Sequence, residues 1–190
     1  MPEAAMSTDD AQRESVDIDR LRTGDPDEFG RWVRHVGPAL RGFLRASGVA
    51  DVDDILQDVW LRLVRSLSRF DGDEDGLRRL TFTIAYRSRA DALRALGRRR
   101  EVAFDPAELP HPTLSPEDID DGTVTALLRR LPEQQALVIG LRVFGGFAAT
   151  EVSDMLGIPD ATVRSLAHRG LKAMARLLEQ QSPSSLEAPS

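Results

Sequence analysis

The sequence predicts an all-α fold, two small helical domains joined by a flexible acidic linker. Three observations carry that expectation. Apolar residues recur at three- and four-residue steps through two separate blocks, 21–100 and 122–181. No stretch alternates at period two, so no sheet is expected. Between the blocks Pro106, Pro110, Pro112 and Pro116 rule out a continuous helix.

Residues 1–20 are polar and acidic without sustained periodicity, and read as a disordered extension. From Asp27 to Ser47 the stripe Phe29, Val33, Val36, Leu40, Phe43, Leu44 predicts a first helix, with Gly37-Pro38 as a point of kinking or division. A second helix follows on Val52, Ile55, Leu56, Val59, Trp60, Leu63, Val64 and Leu67, with Asp51 or Asp53 as its cap. The run FDGDEDG from Phe70 to Gly76 reads as a loop. A third helix is expected over about 77–99, with Leu80, Ile84, Leu93 and Leu96 inward. Three helices can bury one core, which makes 21–100 a domain.

Residues 101–121 form the linker, and extended they would span roughly 70 Å. The helical pattern returns on Val124, Leu127, Leu128 and Leu131, breaks at Pro132, and resumes with Leu137, Val138, Leu141 and Val143. A helix pair follows, ATEVSDMLG and IPDATVRSLAHRGLKAMARLLE, and residues 182–190 read as a disordered tail.

Composition bounds the function. The 190 residues are 41% hydrophobic, 29% charged and only 5% aromatic, so the cores should be mainly Leu, Val, Ile and Ala. There are no cysteines, which excludes disulfides, thiolate metal sites and a cysteine nucleophile. No apolar run reaches the ~18 residues of a membrane helix. The acidic start lacks the cationic and apolar parts of a signal peptide. A cytoplasmic protein without membrane insertion is the expectation. The net charge of −6 argues against nucleic acid, but its distribution does not. Block 21–100 carries +4 and block 122–181 carries +2, while the linker carries −7. The anionic total therefore comes from linker and tails.

The last helix pair carries the first functional signal. Val152, Met155 and Leu156 face inward from its first helix, and Gly157 suits a turn with positive φ. Val163, Leu166, Ala167, Leu171 and Met174 form the inward stripe of its second helix. The opposite face presents Ala161, Arg164, Ser165, His168 and Lys172. Two short helices, a tight glycine turn and a cationic outer face make a helix-turn-helix, whose second helix can enter a major groove. A plain helical hairpin with a solvated charged face fits the same pattern.

Here the chain resembles a known family. LLRRLPEQQALVIGLRVFGGFAATEVSDMLGIPDATVRSLAHRGLKAMARL is similar to region 4 of the sigma-70 family, especially its extracytoplasmic-function (ECF) subgroup. Leu131-Pro132, Gly146-Phe147, Glu151-Val152, Leu156-Gly157-Ile158-Pro159, Thr162-Val163-Arg164-Ser165 and His168-Arg169 fall in register with it. Upstream, DVDDILQDVWLRLVRSLSRFD resembles region 2.2, and LTFTIAYRSRADALRALGRRR resembles regions 2.3 and 2.4. The motifs together cover about residues 25–180, in the family's order and spacing.

The resemblance implies a sigma factor with region 2 in 21–100 as a three-helix-type bundle and region 4 in 122–181. Such a protein binds core RNA polymerase, recognises minus-10 and minus-35 promoter elements, opens the DNA and starts transcription of a particular regulon. Asp54, Gln57 and Asp58 match the motif that docks on the clamp helices of the largest polymerase subunit. They also read as one polar helix face. Phe70, Arg78, Arg79, Tyr86, Arg87, Asp91, Arg94 and Arg98 fall where the family reads and melts the minus-10 element. Ala161, Thr162, Arg164, Ser165, His168, Arg169 and Lys172 fall where it reads minus-35. Members of this subgroup are often held inactive by an anti-sigma factor, which makes one a further candidate partner. The linker corresponds in position to the segment that threads polymerase channels meant for nucleic acid; a solvated spacer fits it too.

The chain departs from the family at several places. Leu80-Thr81 stands for Trp-Leu, and Tyr86-Arg87 for Arg-Asn. Ala161 stands for Gly, Leu166 for Arg, and Ala148 for a capping Ser, the last at about 1 kcal/mol of helix stability. A divergent promoter sequence is expected. A stand-alone helix-turn-helix regulator is the other reading of the same residues. An enzyme is not expected. There is no P-loop, dinucleotide fingerprint, HExxH or nucleophile elbow, and His35, His111 and His168 lie far apart. Neither a catalytic residue nor a cofactor is assigned. Asp51, Asp53, Asp54 and Asp58 lack a further ligand to complete a metal site.

Overall fold

The computed structural model describes residues 16–102 and 122–181, with side chains over 16–95 and 123–180. Among these residues there are helices and turns and no strand. The helix α1, Ile18–Arg22, begins where Asp17 accepts a hydrogen bond from the Arg20 N–H at 3.1 Å. Val16 and Leu21 are buried. The expectation of disorder through residue 20 is therefore corrected for 16–20, while 1–15 lie outside the described residues. A short helix is favourable here because it joins an existing core, not through its own propensity.

Helix α2, Pro26–Ala46, has Pro26 in its first turn, where a missing N–H costs nothing. Asp25 caps it, accepting from the N–H groups of Asp27 and Glu28 at 2.9 and 3.1 Å. Pro38 sits inside without dividing the helix. Glu28 is fully buried, yet it accepts from Arg31 at 2.7 Å and from the Asp17 N–H at 3.2 Å, and pairs with Arg20 at 3.4 Å. Partners on both sides offset the desolvation of its charge and tie α1 to α2. Trp32, absent from the expected stripe, is fully buried and donates its Nε1–H to Thr81 Oγ1 at 3.3 Å.

Helix α3, Val52–Leu67, starts on Asp51, whose carboxylate accepts from the Asp54 N–H at 3.0 Å. Helix α4, Glu74–Val102, starts earlier than the expected 77. The reason is Asp73, whose Oδ1 accepts from the Gly76 N–H at 2.8 Å and whose carbonyl takes the Leu77 N–H. The loop between them thus shortens to about residues 68–73.

The second block contains α5, Gly122–Arg129; α6, Glu133–Phe144; α7, Ala149–Leu156; and α8, Asp160–Gln181. Val64, Val124, Val143 and Leu171, all expected to face inward, are 49%, 39%, 53% and 53% exposed. For α8 the reason is phase. Its buried line runs Val163, Leu166, Ala167, Gly170, and Leu171 lies one position off it.

The two blocks pack into one body with a continuous core. Phe43 of α2 lies 5.7 Å from Phe82 of α4, which meets Phe147, just before α7, edge-on at 5.3 Å. Residues 103–121, most of the expected linker, and the expected tail 182–190 lie outside the described residues.

Candidate nucleic-acid interface and docking face

The helix-turn-helix forms as the sequence implied. Gly157 ends α7 at φ 66°, ψ 32°, a left-handed conformation that an L side chain resists. Its N–H and that of Ile158 both reach the Ser153 carbonyl, and Ser153 Oγ donates back to the Ile158 carbonyl at 2.6 Å. This closes the turn without help from either flank. At the other end of α7 the missing Ser is half replaced. Ala148 has no acceptor of its own, but its N–H donates to Glu151 Oε2 at 2.9 Å.

In α8, Val163 and Leu166 are buried, which leaves Ala161, Thr162, Arg164, Ser165, His168, Arg169 and Lys172 all exposed along the outer side. Arg164 is held by Asp160, one turn earlier, at 2.7 Å. The result is a rigid rod with small and hydroxyl residues near its N-terminus and cations along its length. That is the form a major-groove reader needs.

The outer side of α4 holds a second cationic face. Arg87, Asp91 and Arg94 are exposed and Tyr86 is half-buried against the core. Asp91 binds Arg94 at 2.7 Å and Arg62 of α3 at 3.3 Å, which holds both guanidinium groups in place. The backbone of Arg98 lies in α4; its side chain lies outside the described residues. Three other residues expected in this face are engaged elsewhere. Phe70 is half-buried, packed on the core. Arg78 lies 2.8 Å from His35 Nε2, and Arg79 pairs with Glu151 of α7 at 2.9 Å.

On α3, Asp54 and Gln57 are exposed. Asp58 is not free: it accepts from Ser88 Oγ at 2.7 Å and from Arg62 at 2.8 Å. That hydrogen bond, with the adjacent charge of Asp58, raises the Arg62 pKa above its ordinary value. Asp58 therefore binds α3 to α4, and only Asp54 and Gln57 of the expected trio are open to a partner. Beside them lies an apolar groove of about 350 Å³ lined by Phe29, Leu56, Trp60, Leu61 and Val64, with the Arg41–Asp53 ion pair (2.6 Å) at its rim.

Comparison with known proteins identifies the family. The sigma-70 region 2 family model matches residues 18–99, and the sigma-70 region 4 model matches 122–174. The ECF RNA polymerase sigma factor ShbA of Streptomyces griseus is 32% identical over 86% of this chain and 94% of its own length. The chain belongs to the sigma-70 family, in its ECF subgroup. RNA polymerase sigma factor CarQ of Myxococcus xanthus is 30% identical, covering 85% of this chain and 95% of its own. Two solved structures share the fold at 22% identity. CnrH, in complex with the cytosolic domain of CnrY, has a TM-score of 0.64 over 87% of this chain and 96% of its own. RpoE of Bartonella quintana, in complex with the anti-sigma factor NepR, has a TM-score of 0.65 over 82% and 99%.

In this sigma factor α1–α4 are region 2 and α5–α8 contain region 4. Sequence reasoning missed the apolar part of the α3 face, namely Leu61, Val64 and their neighbours. The signal was present in the count. Eight of sixteen α3 residues were assigned to one inward stripe and Leu61 to none, more apolar surface than one side of a helix can bury. Among the described residues no group of acidic or histidine side chains could hold a metal ion, and no helix is long and apolar enough to cross a membrane.

Proposed function

We propose that this ECF sigma factor docks on core RNA polymerase through α3 and carries it to promoters. Asp54 and Gln57, with the apolar groove beside them, contact the clamp helices of the largest subunit. The helix α8 reads the minus-35 element through Arg164, Ser165, His168, Arg169 and Lys172, with Ala161 and Thr162 allowing close approach. The outer face of α4, with Arg87 and Arg94, contacts the minus-10 region, where Tyr86 and the loop before α4 hold the opened strand. Residues 103–121 tether the two regions. The chain performs no reaction of its own: binding energy opens the strands and polymerase supplies phosphoryl transfer. These partners place it in the cytoplasm. The names of the solved relatives add an anti-sigma factor as a further partner.

The observation that carries this reading is the exposure of all seven recognition residues on α8, in one chain with an apolar docking face on α3. A stand-alone DNA-binding protein has no use for the second. The test is transcription by bacterial core polymerase on a randomised promoter library. Adding the chain should yield transcripts from a defined promoter class. No transcript together with no core binding in a pull-down would refute the reading.

A further inference from the structure

One acid sits where a DNA reader should have none. Asp160 opens α8, in the first turn of the helix whose outer side carries the seven exposed minus-35 residues. The N-terminal turn of a recognition helix comes closest to the base edges, and its free N–H groups favour a phosphate. A carboxylate at that point repels the DNA backbone. It also suits the positive end of the helix dipole, so an acid that only stabilises the helix fits the position too.

Two features of Asp160 point beyond helix stability. Its Oδ2 lies 2.7 Å from Nη2 of Arg164, one turn further along. Its Oδ1 is buried and has no hydrogen-bond partner among the described residues. The carboxylate is therefore not turned out to solvent, and Arg164 is the group that meets its charge. A buried carboxylate oxygen without a donor is unfavourable, so the acid needs the arginine as much as the arginine is held by the acid. Arg164 stays exposed, and the pair engages one nitrogen of a guanidinium that has five N–H donors. The neighbouring Arg169 is held differently, by the Ser165 carbonyl at 3.4 Å, a neutral acceptor.

Holding Arg164 matters because an arginine can do two things on DNA. It reads guanine with two parallel N–H donors, to O6 and N7, and that needs a fixed orientation. A loose arginine instead takes a nearby phosphate, which carries no sequence information. Asp160 closes the second route. It draws the guanidinium back over the first turn of α8, and its own charge disfavours a phosphate there. Affinity for DNA in general falls, and discrimination between sequences rises.

We propose that Asp160 is a specificity-positioning residue of α8: it fixes the Arg164 guanidinium over the first turn, so that this arginine reads one guanine of the minus-35 element instead of a backbone phosphate. The proposal rests on the reading of α8 as the minus-35 helix. The test uses the full chain assembled with bacterial core polymerase, on DNA with a fixed minus-10 element and a randomised minus-35 region, and scores base preference position by position. The position read by Arg164 is the one that Arg164→Ala relaxes. Asp160→Ala should reduce the preference for guanine there about tenfold and leave the other positions unchanged. Asp160→Asn, which keeps the shape and loses the charge, should do the same. Asp160→Glu, which still reaches a cation one turn on, should retain the preference. With Arg164→Ala already present, Asp160→Ala should change that position no further.

A second measurement separates positioning from stability. On random-sequence DNA the Asp160→Ala protein should bind more tightly than the parent, with a salt slope steeper by about one, because the freed arginine adds a phosphate contact. Loss of a helix-stabilising acid alone would weaken binding to every sequence. Should Asp160→Ala fail to fold in a thermal melt, Asp160→Asn carries both comparisons. An unchanged preference in the folded variants, or an equal loss across all sequences, would overturn the proposal. A parent protein with no base preference anywhere in minus-35 would refute the reading of α8 itself, and the proposal with it.

Discussion

Leu61→Ser with Val64→Ser gives the sharpest test of the docking face. Leu61 is 51% and Val64 49% exposed, so each still has about half its apolar surface to bury against a partner. Full burial of such a side chain contributes about 1.5–3 kcal/mol, so the remaining half contributes about 1 kcal/mol each. Both together should cost about 2 kcal/mol of binding, or about 20- to 30-fold in Kd at 1.4 kcal/mol per tenfold. Folding should barely respond, because neither side chain belongs to the core and Ser costs only a few tenths of a kcal/mol in a helix. The assay is fluorescence anisotropy of labelled protein against purified bacterial core polymerase, with a thermal melt in parallel. An unchanged Kd in a folded variant would refute the assignment of this groove to the polymerase. A drop in melting temperature beyond about 8 °C would instead show that both residues stabilise the fold.

Three further outcomes follow from the same structure. Gly157→Ala should destabilise the protein by about 1–2 kcal/mol, because φ 66° places a Cβ against the backbone; an unchanged urea midpoint would contradict this. Arg164→Ala should relax discrimination at one minus-35 position by about 1–3 kcal/mol, whereas Lys172→Ala should weaken all sequences alike and lower the salt slope by about one, both read from binding at graded salt. The Asp25 carboxyl is held below the usual carboxylate range, first by the Glu28 N–H and next by the Arg20 guanidinium. A depressed pKa stabilises the fold above the unfolded value near about 4, and that stabilisation is lost as pH falls through the lower native one. Asp25→Asn should therefore be the less stable protein at neutral pH and approach the parent as pH falls through the acid range, as followed by urea midpoints.

Much of this was legible before any coordinates. The α8 face is the clearest case. Its buried and exposed positions follow from the period of an α-helix, and the Gly157 turn follows from backbone sterics, both local properties of the chain. The α4 start was missed by three residues because it depends on one carboxylate, Asp73, catching an N–H that propensity does not see. Leu171 was misplaced because the stripe was read at a drifting step, while the buried line of α8 runs on to Gly170, a residue with no side chain to signal it.

Other features were invisible for a deeper reason. Asp58 matches the family's docking motif on the polar face of its own helix; Ser88, thirty positions away, is what holds it. Trp32 finds Thr81, Arg89 finds Glu133, and Arg79 finds Glu151 only once distant helices meet. By itself the sequence determined the helices, their caps, the helix-turn-helix and the membership of the family, because each rests on residues within a few turns of one another. Only the tertiary structure decided which charges are spent inside the fold, which leucines remain for a partner, and that the two halves close on each other. Those outcomes depend on contacts between residues far apart in the chain, whose pairing no local period records.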